Sequence, residues 1–136
     1  MIHFECDYTE GAHENILKAL AETNYTQTAG YGEDPHSANA RRLIARACEK
    51  DVDVHFLVGG SQAHAVMISS ILRPHQGCLS PTSGHIAQRE TGAIEATGHK
   101  VLTLPSNNGK ITAEQVRQAY EEHWNDYSHE HAVQPG

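Results

Sequence analysis

Apolar residues recur at Ile16, Leu17 and Leu20, with Ala12 and Ala19 beside them, a spacing that predicts a helix from Gly11 to Thr23. A polar loop with two glycines and two tyrosines follows from Asn24 to Gly32. Asp34-Pro35 joins a capping acid to a proline at the first helical position, and the helix it opens is expected to reach about Lys50 over Leu43, Ile44 and Ala47. Val52 to Val58 is apolar and β-branched, the best strand candidate of the chain. From Gly60 to Leu72 small and apolar residues alternate as in a buried helix, and Pro74 closes it. Gly77 to Ser80 reads as a second, short strand. A loop then reaches His85, and a helix is expected from there to about Thr97, with Gly98 as its stop signal. Lys100 to Leu104 is a third strand, and Thr112-Ala113-Glu114-Gln115 is a capping box that opens a helix over Val116, Ala119 and Tyr120. Strand and helix alternate with connections long enough for crossovers, so the expected class is α/β with a largely parallel sheet. Three strands make a thin sheet for such a domain. Val133 to Gly136 stands where another strand could begin.

Composition narrows the class of function. At 136 residues and 38% hydrophobic content the chain supports one core, and its charges are spread along its length. No apolar run approaches the roughly 20 residues of a membrane helix, and Met1-Ile2-His3-Phe4-Glu5 lacks the basic and apolar regions of a signal peptide. The net charge of −7, with no basic cluster longer than Arg41-Arg42, argues against nucleic acid as a partner. Cys6, Cys48 and Cys78 are far apart and form no CxxC, which points to reduced thiols in a cytoplasmic protein. The chain has 11 histidines, but none falls in an HExxH or in a cluster with ligand spacing, so no metal site is expected from sequence. His123, His129 and His131 read as surface histidines of a polar C-terminal segment.

The chemistry-bearing stretch is Val58-Gly59-Gly60-Ser61-Gln62, where an apolar run ends in two glycines and a hydroxyl just before a helical pattern. Such a turn lets backbone N–H groups and a helix N-terminus approach an anion. It is neither a Walker A loop nor a dinucleotide fingerprint, and alone it is as readily a tight strand-to-helix turn. His85 comes from a second loop on the same expected sheet edge, and its flat ring opposite a phosphate site suits a planar phosphorylated cofactor. Taken singly, His85 reads as an ordinary loop histidine, Glu90 as a solvated helix residue and Tyr31 as loop filler.

Their joint order is more specific. Cys6-Asp7-Tyr8, Tyr31-Gly32-Glu33-Asp34-Pro35, Gly60-Ser61, His85 and Glu90-Thr91-Gly92 occur in the order found in threonine aldolases, and the chain resembles that family from about Phe4 to Tyr120. Cys6 stands where the family has serine, and His64 where asparagine is common. The resemblance implies the fold-type-I large domain of the pyridoxal-phosphate (PLP) transferases, here its incomplete N-terminal part over residues 1–136. It implies PLP as cofactor, a small amino acid as substrate, and cleavage of a β-hydroxy amino acid to glycine and an aldehyde. Gly60, Ser61 and Gln62 would hold the phosphate. His85 would stack on the pyridine ring and help with the β-hydroxyl proton, and Glu90 would support His85. Cys6 and Asp7 would lie at the substrate, and Tyr31 near the active site of a neighbouring subunit, in a homodimer or tetramer. The cofactor lysine, the aspartate for the pyridinium nitrogen and the arginine for the substrate carboxylate lie further along in the family. Lys18, Lys50, Lys100 and Lys110 do not match that lysine, so the 136 residues alone are expected to be inactive. Two alternatives remain open at this level: a non-catalytic remnant domain acting in binding or assembly, and a related β-eliminating lyase of aromatic amino acids.

Overall fold

Two of the longer helices start where a capping side chain, Asp34 or Thr112, meets an apolar stripe. The computed structural model describes residues 3–6 and 8–136, which divide into two compact units, 1–56 and 57–136. The first unit holds α1, Glu14–Thr23, and α2, Pro35–Cys48. Asp34 caps α2 by accepting from the backbone N–H of Ser37 at 2.9 Å and from its hydroxyl at 2.6 Å, with Pro35 in the first turn. Arg41 on α2 places its guanidinium 5.8 Å from the centre of the Phe56 ring, a cation–π contact.

The second unit carries the sheet. In chain order it comprises α3, Gly60–Ile71; β1, Gln76–Pro81; α4, His85–Gln88; β2, Val101–Leu104; α5, Ala113–Asn125; and β3, Gln134–Pro135. The strand order is β2-β1-β3, and both neighbours run parallel to β1. Cys78 pairs with Val101 and Pro81 with Leu104, while Gln76 pairs with Gln134. This is the parallel α/β class expected, and a strand does form next to Val133. Thr112 and Gln115 close both arms of the capping box at the start of α5.

Gly77 shows how tightly β1 is held. A Cβ there would meet the Lys100 carbonyl oxygen at 2.6 Å and Val133 Cγ1 at 2.9 Å, so the neighbouring chain can approach only a residue without a side chain. His99 is buried and its Nδ1 lies 3.0 Å from the Gln76 carbonyl oxygen, tying the segment before β2 to the start of β1.

Three expectations need correction. Val52 to Val58 forms no strand: the segment has no ladder partner among the described residues, and Val52, Phe56, Leu57 and Val58 are exposed. β-propensity measures fit to a pleated, half-buried surface, and without a neighbour the apolar run alone does not make a strand. The helix expected from His85 to Thr97 stops at Gln88 and resumes only as a 3-10 turn at Glu95–Thr97. Thr91 and Gly92, with φ of 52° and 81°, break it between those two turns. Helix α3 does form, but only Ile68 of its residues is buried, and Val66, Met67 and Ile71 are exposed.

Candidate functional site

The parallel sheet sends the loops after β1 and β2 to one edge, the carboxyl edge at which open α/β sheets bind ligands. Ser106, after β2, lies 3.1 Å from Ser83 and 3.3 Å from Thr82 through their hydroxyls, so the two loops are joined. Gln88 donates its side-chain amide to the Thr82 carbonyl at 2.8 Å, which fixes α4 against the end of β1. His85 opens α4 in that loop, with its side chain 62% exposed.

Helix α3 begins after Gly59, which provides no side-chain cap. Ala63 N–H bonds the Gly59 carbonyl at 3.0 Å. The N–H groups of Gly60, Ser61 and Gln62 find no acceptor among the described residues. A Cβ added at Gly59 or Gly60 would meet nothing within 4 Å, so the approach to these donors is open. Gln62 turns its Oε1 back to accept from Val58 N–H at 2.9 Å, which fixes the turn from the amide side. Three free donors at the positive end of a 12-residue helix make an anion-binding surface.

One turn further along α3 is His64, and here the two parts of the site meet. His64 Nδ1 lies 2.7 Å, and His85 Nδ1 3.0 Å, from the same oxygen, Oε1 of Glu90. A carboxylate only accepts, so each Nδ1 carries a proton and donates it. The two rings lie 6.0 Å apart between centroids and are tilted by 53°. The Glu90 side chain is fully buried, its other oxygen, Oε2, has no partner within hydrogen-bond distance among the described residues, and the Ser61 hydroxyl is close enough to help lower the carboxyl's pKa. Glu90 lies in the break between the helix ending at Gln88 and the 3-10 turn at Glu95–Thr97, not on a helix. The left-handed Thr91-Gly92 pair instead turns the chain so that Ile94, whose side chain is fully buried, anchors the segment in the core.

The His64 hydrogen bond is the strongest influence on the Glu90 carboxyl and holds it below the usual carboxylate range; burial pushes the other way, and the His85 hydrogen bond adds to the lowering. A depressed carboxyl stabilises the fold above its unfolded pKa, and that contribution is lost as pH falls through the folded value. Thermal melts from about pH 6 down to about pH 3 should therefore fall more steeply for the parent than for Glu90→Gln. Asp34 and Asp126, lowered by their own bonds from Ser37 and Ser128, affect both proteins alike, so the difference between the curves isolates Glu90. Equal acid slopes would show that the buried carboxylate does not couple to folding.

Of the residues singled out from sequence, Gly60, Ser61, Gln62, His85 and Glu90 all lie in the second unit. Tyr31 and Cys6 belong to the first: Tyr31 is fully exposed with φ of 60° before left-handed Gly32, and Cys6 is half-buried. Asp7 lies outside the described residues. The member the sequence reading did not place in the site is His64. Its signal was available, because a residue three after Ser61 shares that residue's face of the helix.

Comparison with known proteins identifies the family and the fold. The model of the beta-eliminating lyase family matches residues 4–134. A low-specificity L-threonine aldolase of a Pseudomonas species is 27% identical over 117 residues, covering 85% of this chain and 34% of its own length. That of Pseudomonas aeruginosa is 26% identical over 116 residues, covering 84% and 34%. A solved threonine aldolase structure from Leishmania major superposes with a TM-score of 0.88 at 45% identity, over 95% of this chain and 37% of that one. The chain thus spans about a third of the length of the curated relatives it matches. Its fold is that part of a fold-type-I domain which this structure shares.

Proposed function

The chain belongs to the beta-eliminating lyase family, whose members use PLP, and from that premise we propose that it supplies the phosphate turn and the ring-facing histidine of a lyase that splits a β-hydroxy amino acid into glycine and an aldehyde. The observation that carries this is the uncapped start of α3, three free N–H groups in open space, one turn from the histidines gathered on Glu90. The residues fit the cofactor: Gly60, Ser61 and Gln62 present donors and a hydroxyl to a phosphate dianion, and His85 leaves much of its ring exposed.

When bound, PLP supplies the electron sink that allows a Cα–Cβ bond to break. The protein's share is positioning and proton handling. Glu90 takes the Nδ1–H of His85, which orients the ring and leaves Nε2 as the atom that accepts the β-hydroxyl proton. His64, bonded to the same oxygen, holds Glu90 in place from the α3 side. Cys6 and Asp7 are assigned to the substrate, and Tyr31 to the site of a neighbouring subunit in a homo-oligomer. Residues 1–136 are read as the N-terminal part of the PLP domain, with the cofactor lysine outside them, since Lys18, Lys50, Lys100 and Lys110 do not match its family position.

Titration of the chain with PLP and with pyridoxal tests the reading. PLP is expected to bind without a covalent bond, and pyridoxal, which lacks the phosphate, about tenfold more weakly or worse. Borohydride reduction followed by peptide mass mapping should find no lysine labelled stoichiometrically. Equal affinity for the two aldehydes would sink the phosphate assignment. One fully labelled lysine would sink the placement of the cofactor lysine.

A further inference from the structure

Gly84 stands just before His85 with φ of −64° and ψ of 149°, backbone angles that any residue adopts, so conformational freedom does not explain a glycine there. The strand packed against it does. A Cβ on Gly84 would overlap the hydroxyl oxygen of Ser80 and lie 3.0 Å from the Pro81 carbonyl oxygen and 3.3 Å from Pro81 Cδ, all of them atoms of β1. Ser80 pairs with Thr103 of β2 and is only 3% exposed. Its hydroxyl donates to the Pro81 carbonyl at 3.1 Å, so turning it aside would break that bond in a buried place. We propose that Ser80 and Gly84 are positioning residues for His85: the contact of two small residues sets the seat of α4, and with it the bond from the His85 ring to Glu90.

The seat is tightly defined. Gly84 donates its N–H to the Pro81 carbonyl at 2.8 Å, and its own carbonyl accepts from Ala87 at 3.1 Å and from Gln88 at 3.0 Å. The Gln88 side chain holds the far end of α4 to the Thr82 carbonyl at 2.8 Å. A single turn fastened at both ends moves as one body when it is pushed at Gly84. Non-bonded heavy atoms settle about 3.5–4.0 Å apart, so making room for a carbon at position 84 needs a shift on the order of 1 Å. The His85 Nδ1 lies 3.0 Å from Glu90 Oε1, and such bonds are lost beyond about 3.5 Å, so the shift exceeds the margin. His64 reaches the same oxygen from α3, which takes no part in the contact at Gly84, and so serves as an internal reference. The consequence for the cofactor rests on the reading of His85 as the ring-facing histidine; the placement of the ring does not. A reacting group must be held to within about 0.5 Å, and the Ser80–Gly84 contact supplies that support from beneath.

The test uses the 136-residue chain labelled with ¹⁵N-histidine, without PLP, at about pH 8, above the usual imidazole range. Ring nitrogen shifts show which nitrogen carries the proton, and the His85 signals are those missing from His85→Ala. In the parent both His64 and His85 should hold the proton on Nδ1. In Gly84→Ala, His85 should exchange between its two tautomers while His64 keeps its own. The double variant Ser80→Ala, Gly84→Ala removes the overlapped oxygen and should restore His85. In a second arm, PLP and pyridoxal should both bind Gly84→Ala at least about threefold more weakly, with their ratio kept, and recover in the double variant. The proposal is overturned if His85 keeps its Nδ1 proton in Gly84→Ala, or if His64 loses its fixed tautomer as well, which would mean that Glu90 itself has moved. It is also overturned if the double variant fails to restore His85, whether or not Gly84→Ala folds. A His85 signature that responds as expected, with PLP affinity unchanged, would uphold the seat of α4 and sink the ring-facing role.

Discussion

In a full-length enzyme made by joining this segment to the remainder of a threonine aldolase, His85→Ala should lower aldol cleavage at least about tenfold, or about 1.4 kcal/mol of barrier. The expectation rests on two jobs held by one ring. In the proposed site its exposed face would pack against a planar cofactor, and its Nε2, left free by the bond from Nδ1 to Glu90, would accept the proton. His85→Phe separates them, because it keeps a flat ring and removes both nitrogens. PLP retention should return in that variant while turnover stays low. Ser61→Ala should mainly weaken PLP binding, since it deletes one hydroxyl and leaves the three backbone donors of α3 in place. Dissociation of PLP and cleavage rate are measured side by side for the three variants. If His85→Ala bound and turned over like the parent, the ring would be an ordinary loop histidine.

Ile94→Ala should destabilise the second unit by about 2–5 kcal/mol. Ile94 is the only large apolar side chain fully buried among the described residues, so little surrounds it that could collapse into the space it leaves. It also sits in the turn that holds Glu90 inward: Thr97 donates its hydroxyl to the Ile94 carbonyl at 2.7 Å, and Ala96 N–H reaches the Gly92 carbonyl at 2.9 Å. Ile94→Val, which removes one methylene, should cost about 1 kcal/mol. Urea unfolding followed by the fluorescence of Trp124, on α5 of the same unit, reads both variants. A cost below about 1 kcal/mol for the alanine variant would mean that the turn is held by its backbone bonds and not by the core.

Local chemistry decided what the sequence by itself determined. The helices starting at Asp34-Pro35 and Thr112, the turn at Gly59-Gly60, the short strand over Gly77 to Ser80 and the one ending at Leu104 rest on caps, periodicity and glycine placement, which need only near neighbours. The α/β class followed from their order, and the ordered set of motifs from Cys6 to Gly92 carried the family. Tertiary structure alone decided the rest. Val52 to Val58 has full strand character yet pairs with nothing among the described residues, because a strand is a property of two segments and not of one. The apolar character of α3 predicted burial, but burial depends on what lies opposite, and only Ile68 is covered. Glu90 read as solvated because an acid taken singly in a helical pattern gives no sign of the partners it will meet. The Thr91-Gly92 turn, stabilised by Ile94 in the core, buries its carboxylate and draws His64 and His85 onto one oxygen from positions 26 and 5 residues away.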